Sequence, residues 1–169
     1  MLHQAASYLC FFGSFTGQSL LCGSQLAIAV ATPVAVERAL KSRRFGAYTL
    51  QAAIAAVHAE AEPGGATDWR QIVALYHQLV RIQPSPVVQL NRAVAIAMRD
   101  GPEAGLTHIE AVLEHGELAN YYLAHSARAD IYRRLGRTTE ARASYEKALA
   151  LTQQGPERKF LQERIRQLK

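Results

Sequence analysis

The stretch LGRTTEARASYEKALAL, Leu135 to Leu151, decides how the rest of the chain is read. After Gly136, Ala141, Tyr145 and Ala148 come at gaps of five, four and three. If a helix opens after the glycine turn, the gaps of four and three set those three residues on one face, with Leu149 beside them. Two small residues then flank one aromatic ring. Small side chains admit a neighbouring helix to close range while the ring fills the space between, so this segment is built to pack helix on helix and not to do chemistry.

The same design recurs upstream. YTLQAAIAAVHAEA (48–61) is alanine-rich, with Leu50, Ile54 and Val57 at helical spacing, and it stops at the breaker Pro63-Gly64-Gly65. Asp68 stands at the cap position of WRQIVALYHQLVRIQ, whose apolar stripe is Ile72, Tyr76, Leu79 and Val80 and which ends at Pro84 and Pro86. Ser85 stands as the cap of PVVQLNRAVAIAMRD, with proline in the favoured first turn. Asp100-Gly101-Pro102 closes that helix and opens EAGLTHIEAVLEH; Gly116 precedes ELANYYLAHSARADIYRRL, and a last helix starts at Pro156. No useful run of period two interrupts the series, so the fold expected is all-α.

These helices repeat one another. Ile72, Tyr76, Leu79 and Val80 recur as Gly105, Ile109, Val112 and Leu113 after 33 residues, and as Ala141, Tyr145, Ala148 and Leu149 after a further 36; Ala93 likewise matches Ala129. A period near 34 with two helices per unit and small residues at the crossings is the signature of tetratricopeptide hairpins. The expected architecture is therefore a short solenoid of antiparallel hairpins at about 45–83, 86–115 and 118–152, closed by a capping helix at 156–168 that turns Leu161, Ile165 and Leu168 inward.

Composition agrees with this reading and narrows the rest. With 49% hydrophobic and 20% charged residues in 169, the chain lies in the ordinary range for one globular domain. Cys10 and Cys22 form neither a disulfide framework nor a zinc spacing, which makes a reducing, cytoplasmic setting the default. Charge is unevenly spread. Residues 45–127 hold four Lys or Arg against eight Asp or Glu, whereas residues 128–169 hold eleven against five. Such a tail suits an acidic protein surface or nucleic acid, or is simply a solvated helical face; no aromatic residues alternate with the basic ones as a single-strand platform requires.

The beginning differs in kind. Before Glu37 the only acidic or basic side chain is His3, and the apolar run is broken by Gly, Ser, Gln and Thr. It falls short of a membrane span, and a secretory signal would need a positively charged start. Residues 1–34 are expected to form a divergent, peripheral or poorly ordered head, with the repeat domain occupying 35–169.

The phrases VERALKSRRFGAYTLQAAIAAVHAEA, TDWRQIVALY, PSPVVQLNRAVAIAM, SARADIYRRLGRTTEARASYEKALAL and PERKFLQERIRQL carry a more specific signal. From about residue 35 onward the chain resembles the C-terminal, tetratricopeptide-like extension of a group of bacterial extracytoplasmic-function sigma factors. The resemblance implies a transcription-regulatory module that contacts the sigma regions, the core of RNA polymerase or a regulator. A free-standing tetratricopeptide adaptor for an unrelated protein is the alternative. The residues before 35 lack the aromatic and basic groups of a strand-melting region, and no helix-turn-helix succeeds them, so the sigma regions themselves are expected to be missing and DNA to be bound only indirectly or weakly.

No catalytic motif emerges. The six histidines include no HExxH pair, HAE at 58–60 has no accompanying PCxxC, and neither a Gly-rich phosphate loop nor a GxSxG elbow occurs, so no enzyme, metal, cofactor, membrane anchor or small-molecule substrate is expected. Trp69 and Tyr76 read as core residues sooner than as partner anchors. The first helix of each stacked hairpin lines the concave side, which makes Asn91, Arg92, Arg128, Arg133 and Arg134 the candidate partner-binding residues, their guanidinium forks suited to an acidic or C-terminal peptide segment.

Deletion of residues 1–33 is expected to leave thermal unfolding nearly unchanged. A loss on the scale of large apolar burial would show that the head supplies core.

Overall fold

The computed structural model describes residues 46–60 and 67–168, and in these it contains seven α-helices and no strand. The expected head, 1–34, lies outside the described residues. Contacts divide the chain into two units, Met1–Asp68 and Trp69–Lys169. The expected first hairpin, 45–83, spans that division.

The first unit contributes α1 (Ala47–Glu60). Alanine supplies the helix propensity, and Leu50, Ala53, Ile54 and Val57 are buried along one stripe. Tyr48, on the opposite side, is almost fully exposed.

The second unit is a run of antiparallel helices: α2 (Trp69–Ile82), α3 (Pro86–Asp100), α4 (Pro102–Glu114), α5 (Tyr122–Arg134), α6 (Thr138–Leu151) and α7 (Gly155–Gln167). Each packs on the next, and α3 also touches α5, so the first helices of successive hairpins lie side by side. This is the stacked-hairpin arrangement that the repeat implies. Helices α3 and α5 are the most enclosed, with Val88, Leu90, Asn91 and the run Ala93–Ala97 buried on α3 and the run Leu123–Ala127 buried on α5.

The three matching stripes bury alike. Ile72, Tyr76 and Leu79 on α2, Gly105, Ile109 and Val112 on α4, and Ala141, Tyr145 and Ala148 on α6 are all buried, while the fourth member, Val80, Leu113 or Leu149, is half-buried in every case. Equal burial at equal spacing means that each hairpin presents the same face to its neighbour. At the α3–α4 crossing the helices come so close that a Cβ on Gly105 would stand 2.2 Å from the Ala97 Cβ and 2.8 Å from its Cα. No side chain fits there.

Two turns explain why the helices stop where they do. Gly101, at φ +105°, ends α3 and caps α4 with nothing between them, a backbone conformation that L side chains rarely adopt. At the end of α5, Arg137 N–H donates to the Tyr132 carbonyl and Gly136 N–H to that of Arg133, at 2.9 and 3.1 Å, with Gly136 at φ +73°. That pair of bonds is a Schellman motif, and the Arg137 guanidinium lies 4.7 Å from the centre of the Tyr132 ring where an apolar contact usually closes the motif.

Two sequence expectations are corrected at helix starts. Ser85 occupies the cap position of α3, but its hydroxyl makes no cap hydrogen bond; the start is set by Pro86, whose fixed φ is preorganised for the first turn. Helix α5 begins at Tyr122 and not at Glu117, because residues 116–121 are spent on short turns, Ala119 N–H to Gly116 O and Tyr121 N–H to Leu118 O, that drop Leu118 into the core.

The last helix caps the stack. Leu161 and Leu168 are buried, and two arginines tie the helix down. Arg158 donates to the carbonyls of Leu149 and Thr152, which α6 leaves unpaired at its end, and Arg142 on α6 reaches the Leu168 carbonyl at 2.9 Å.

Gly105→Ala reverses the usual sign of a helix substitution. Alanine ordinarily stabilises a helix interior by about 0.5–1 kcal/mol, whereas here α3 and α4 must separate, so a net loss of about 1–3 kcal/mol is expected in urea unfolding. Tyr145→Ala removes a ring that is 1% exposed and is expected to cost about 3–5 kcal/mol by the same measurement.

Candidate functional site

The five candidate partner-binding residues fall in different environments. Asn91 is 4% exposed and is engaged with the Tyr76 hydroxyl. Burial pushes the Tyr76 phenol up, and the hydrogen bond from Asn91 offsets part of that rise. Asn91 thus joins α3 to α2 inside the core, where the side-chain Oδ1 has no partner among the described residues. A partner protein does not reach it.

Arg92 and Arg128 stand 36 residues apart, at equivalent positions of successive repeats, and both are half-buried. Arg128 turns toward α6, its Nε donating to the buried Ser144 hydroxyl at 3.2 Å. The Arg92 Nε is buried without a hydrogen-bond partner among the described residues. Its charge, with those of Arg99 and His108, adds to desolvation in holding the His77 imidazole below its usual value.

Arg133 and Arg134 differ although they are adjacent. Arg133 grips Asp130 with Nε and Nη2 at 3.0 and 2.6 Å and also touches Tyr145, so it fastens α5 to α6. Arg134 points along the line where α5 meets α3, its Nη1 3.2 Å from the sulfur of Met98, which is the equivalent residue one repeat earlier. It forms no ion pair among the described residues. Like Arg92 and Arg128, Arg134 is half-buried and outside any ion pair among the described residues; what sets it apart is its place on the face where the first helices of two hairpins adjoin.

A second feature was not legible in the spacing. Between α4, α5, α6 and the 116–121 turn lies a cleft of about 430 Å³, lined by Glu110, Leu113, Glu114, Ala119, His125, Arg128 and Lys147. Its floor includes His125, 2% exposed, with Nε2 2.8 Å from the Ala119 carbonyl. A carbonyl only accepts, so Nε2 carries the proton and Nδ1 is an acceptor; no partner for Nδ1 is present among the described residues. Glu110 accepts the Tyr132 hydroxyl at 2.7 Å. The signal that was available is the register of the repeat, since His125 falls where position 89 falls one unit earlier.

Among the described residues no group of three or more His, Cys, Asp or Glu could hold a metal ion, and no helix is long and apolar enough to cross a membrane. Tyr76 is core, as expected, and Trp69 is half-buried.

Comparison with known proteins finds a tetratricopeptide repeat at residues 118–154, the unit made of the 116–121 turn, α5 and α6. The chain is also similar to an uncharacterized protein of Rhizobium meliloti (strain 1021), 45% identical over 126 residues, which are 75% of this chain and 29% of that protein. The chain thus spans less than a third of the relative it matches. No solved structure matches it. The repeat marks a protein-interaction module.

The buried imidazole gives stability a pH dependence. Desolvation lowers the His125 pKa, Lys147 and Arg128 lower it further, and the Ala119 bond opposes them. Because the folded value lies below the unfolded one, the unfolded chain binds the proton more readily. Stability is therefore level above about pH 6.5 and falls below it by at most about 1.4 kcal/mol per pH unit for this group, until the depressed value is passed. His125→Gln is expected to flatten part of the slope of unfolding free energy between neutral and mildly acidic pH; an unchanged slope would assign it to other groups.

Proposed function

We propose that this chain is the regulatory, protein-binding module of an extracytoplasmic-function sigma factor, cytoplasmic and non-catalytic, and that it adjusts transcription initiation through contact with the sigma regions or the polymerase core. Support comes from the phrases running from VERALKSRRF to PERKFLQERIRQL, which are far more specific than a generic repeat, and from the tetratricopeptide match at 118–154. The matched stretch of the Rhizobium relative is also a minor part of a longer chain, as an appended module would be.

The observation that carries the reading is Arg134. A solenoid that binds proteins needs a polar anchor on the face shared by successive first helices, and Arg134 sits on that face with its guanidinium resting on Met98 and free of carboxylates among the described residues. An acidic segment of the partner supplies the missing charge. Arg133 and its Asp130 ion pair brace the same stretch of α5, and Arg92 and Arg128 contribute positive potential from either side. DNA enters this reading only as a weak, salt-sensitive ligand through net charge.

Titration calorimetry of the full chain against purified sigma regions and against core polymerase tests this. Binding to one of them is expected, with Arg134→Glu weakening it about tenfold or more, the scale of one charge-assisted contact, and leaving thermal unfolding unchanged. Absence of binding to both favours the unrelated-partner adaptor, and sequence-specific footprinting of duplex DNA by the chain alone would overturn the reading.

A further inference from the structure

The cleft between α4, α5 and α6 has a property that packing does not require. Two carboxylates, Glu110 and Glu114, come from α4, and two cations, Arg128 and Lys147, come from α5 and α6. Opposite charges lining one small space ordinarily close into ion pairs. Here none of the four is ion-paired with another among the described residues, and each keeps acceptors or donors for something else. At the base, the buried His125 has an unprotonated Nδ1 that no protein group satisfies among the described residues and that solvent does not reach, so the imidazole underlies the four charges without opening onto them.

Nor is this pattern a demand of the repeat. One unit earlier, the positions equivalent to 110, 114, 125, 128 and 147 hold His77, Arg81, Gln89, Arg92 and Ala111. That set has no carboxylate and no opposed walls. The scaffold accepts either, so the paired acids and bases belong to the later cleft alone.

From this geometry we propose that the cleft is a binding site for a small zwitterion, a free amino acid. Its ammonium group lies against Glu110 and Glu114, above the buried His125 ring, and its carboxylate is held by Arg128 and Lys147. The volume of about 430 Å³ falls within the range of small-ligand sites and exceeds what one amino acid fills, leaving room for its side chain beside Leu113. Both charges must be present at once on neighbouring atoms. That requirement separates a free amino acid from an internal peptide segment, whose amine and carboxyl are consumed in amide bonds. Arg134 is not among the residues lining the cleft, and Arg128 is the one residue that the cleft shares with the surface proposed for protein contact.

The test uses the full chain, nitrogen-15 labelled, and a panel of the common free amino acids at millimolar concentration. Its readouts are the His125 Nδ1 resonance and the melting temperature. At least one amino acid is expected to move that resonance and raise the melting temperature, while its N-acetyl and its amide derivatives, which each lack one charge, do neither. Glu114→Gln and Lys147→Gln alter exposed side chains, so the fold survives, and each is expected to weaken binding about tenfold. The proposal is overturned if no free amino acid moves His125, if the blocked derivatives act equally well, or if both substitutions leave the affinity unchanged.

Discussion

Everything in the second unit depends on how near α3 is allowed to come to α4. With glycine at 105 and alanine at 97, the two backbones meet with no side chain between them. That approach closes α4 over the run Ala93–Ala97 of a helix that also touches α2 and α5. Where the crossing residue is larger, as with Ile72 on α2, the stripe is filled by side-chain volume; where it is alanine, as at 141, the ring of Tyr145 occupies the adjoining space. The repeat is therefore a recurring spacing of contact points and not of residue types: three stripes share one geometry while using Ile-Tyr-Leu, Gly-Ile-Val and Ala-Tyr-Ala. Dispersion and apolar burial fix the hairpins, and the polar groups are added around that frame.

Helices and turns could be read because their determinants are local. Apolar spacing, and proline or glycine at 86, 101, 102, 136 and 156, place the helix ends of the second unit to within a residue or two, the start of α5 apart. The start of α5 escaped because LANYY is as helical by composition as the LAHSARAD that continues it. Turns at 116–121 prevail since they bury Leu118 and offer the Ala119 carbonyl to His125, a tertiary reason invisible in propensity.

The candidate surface was less legible for a related cause. Arginines can be counted in a sequence, but whether a guanidinium is free depends on the groups that stand opposite it in space. Arg133 is spent on Asp130 and Tyr145, Arg128 on Ser144, Arg142 and Arg158 on carbonyls at helix ends, and Arg137 on Glu140 and the Tyr132 ring. A tail that is basic by arithmetic is thus largely an internal fastening system. Asn91 reads as a surface amide and is a core one, because α3 has hardly any outside. The acids and bases of the cleft come from three helices, so no window of sequence contains them together.

The single residue shared by α3 and α4 has a kinetic meaning. Gly101 joins the two helices with the shortest connection in the unit, so bringing Ala97 onto Gly105 closes a loop of only a few residues, and the entropic barrier to docking grows with loop length. This hairpin is the natural nucleus of the chain's assembly: its contacts are local, its turn is preset by a backbone conformation glycine adopts freely, and its faces are the templates on which α2 and α5 condense. Growth from it would run outward in both directions, and α7, which packs chiefly on α6, depends on its arginine-to-carbonyl bonds at the two ends to resist the fraying expected of a terminal helix.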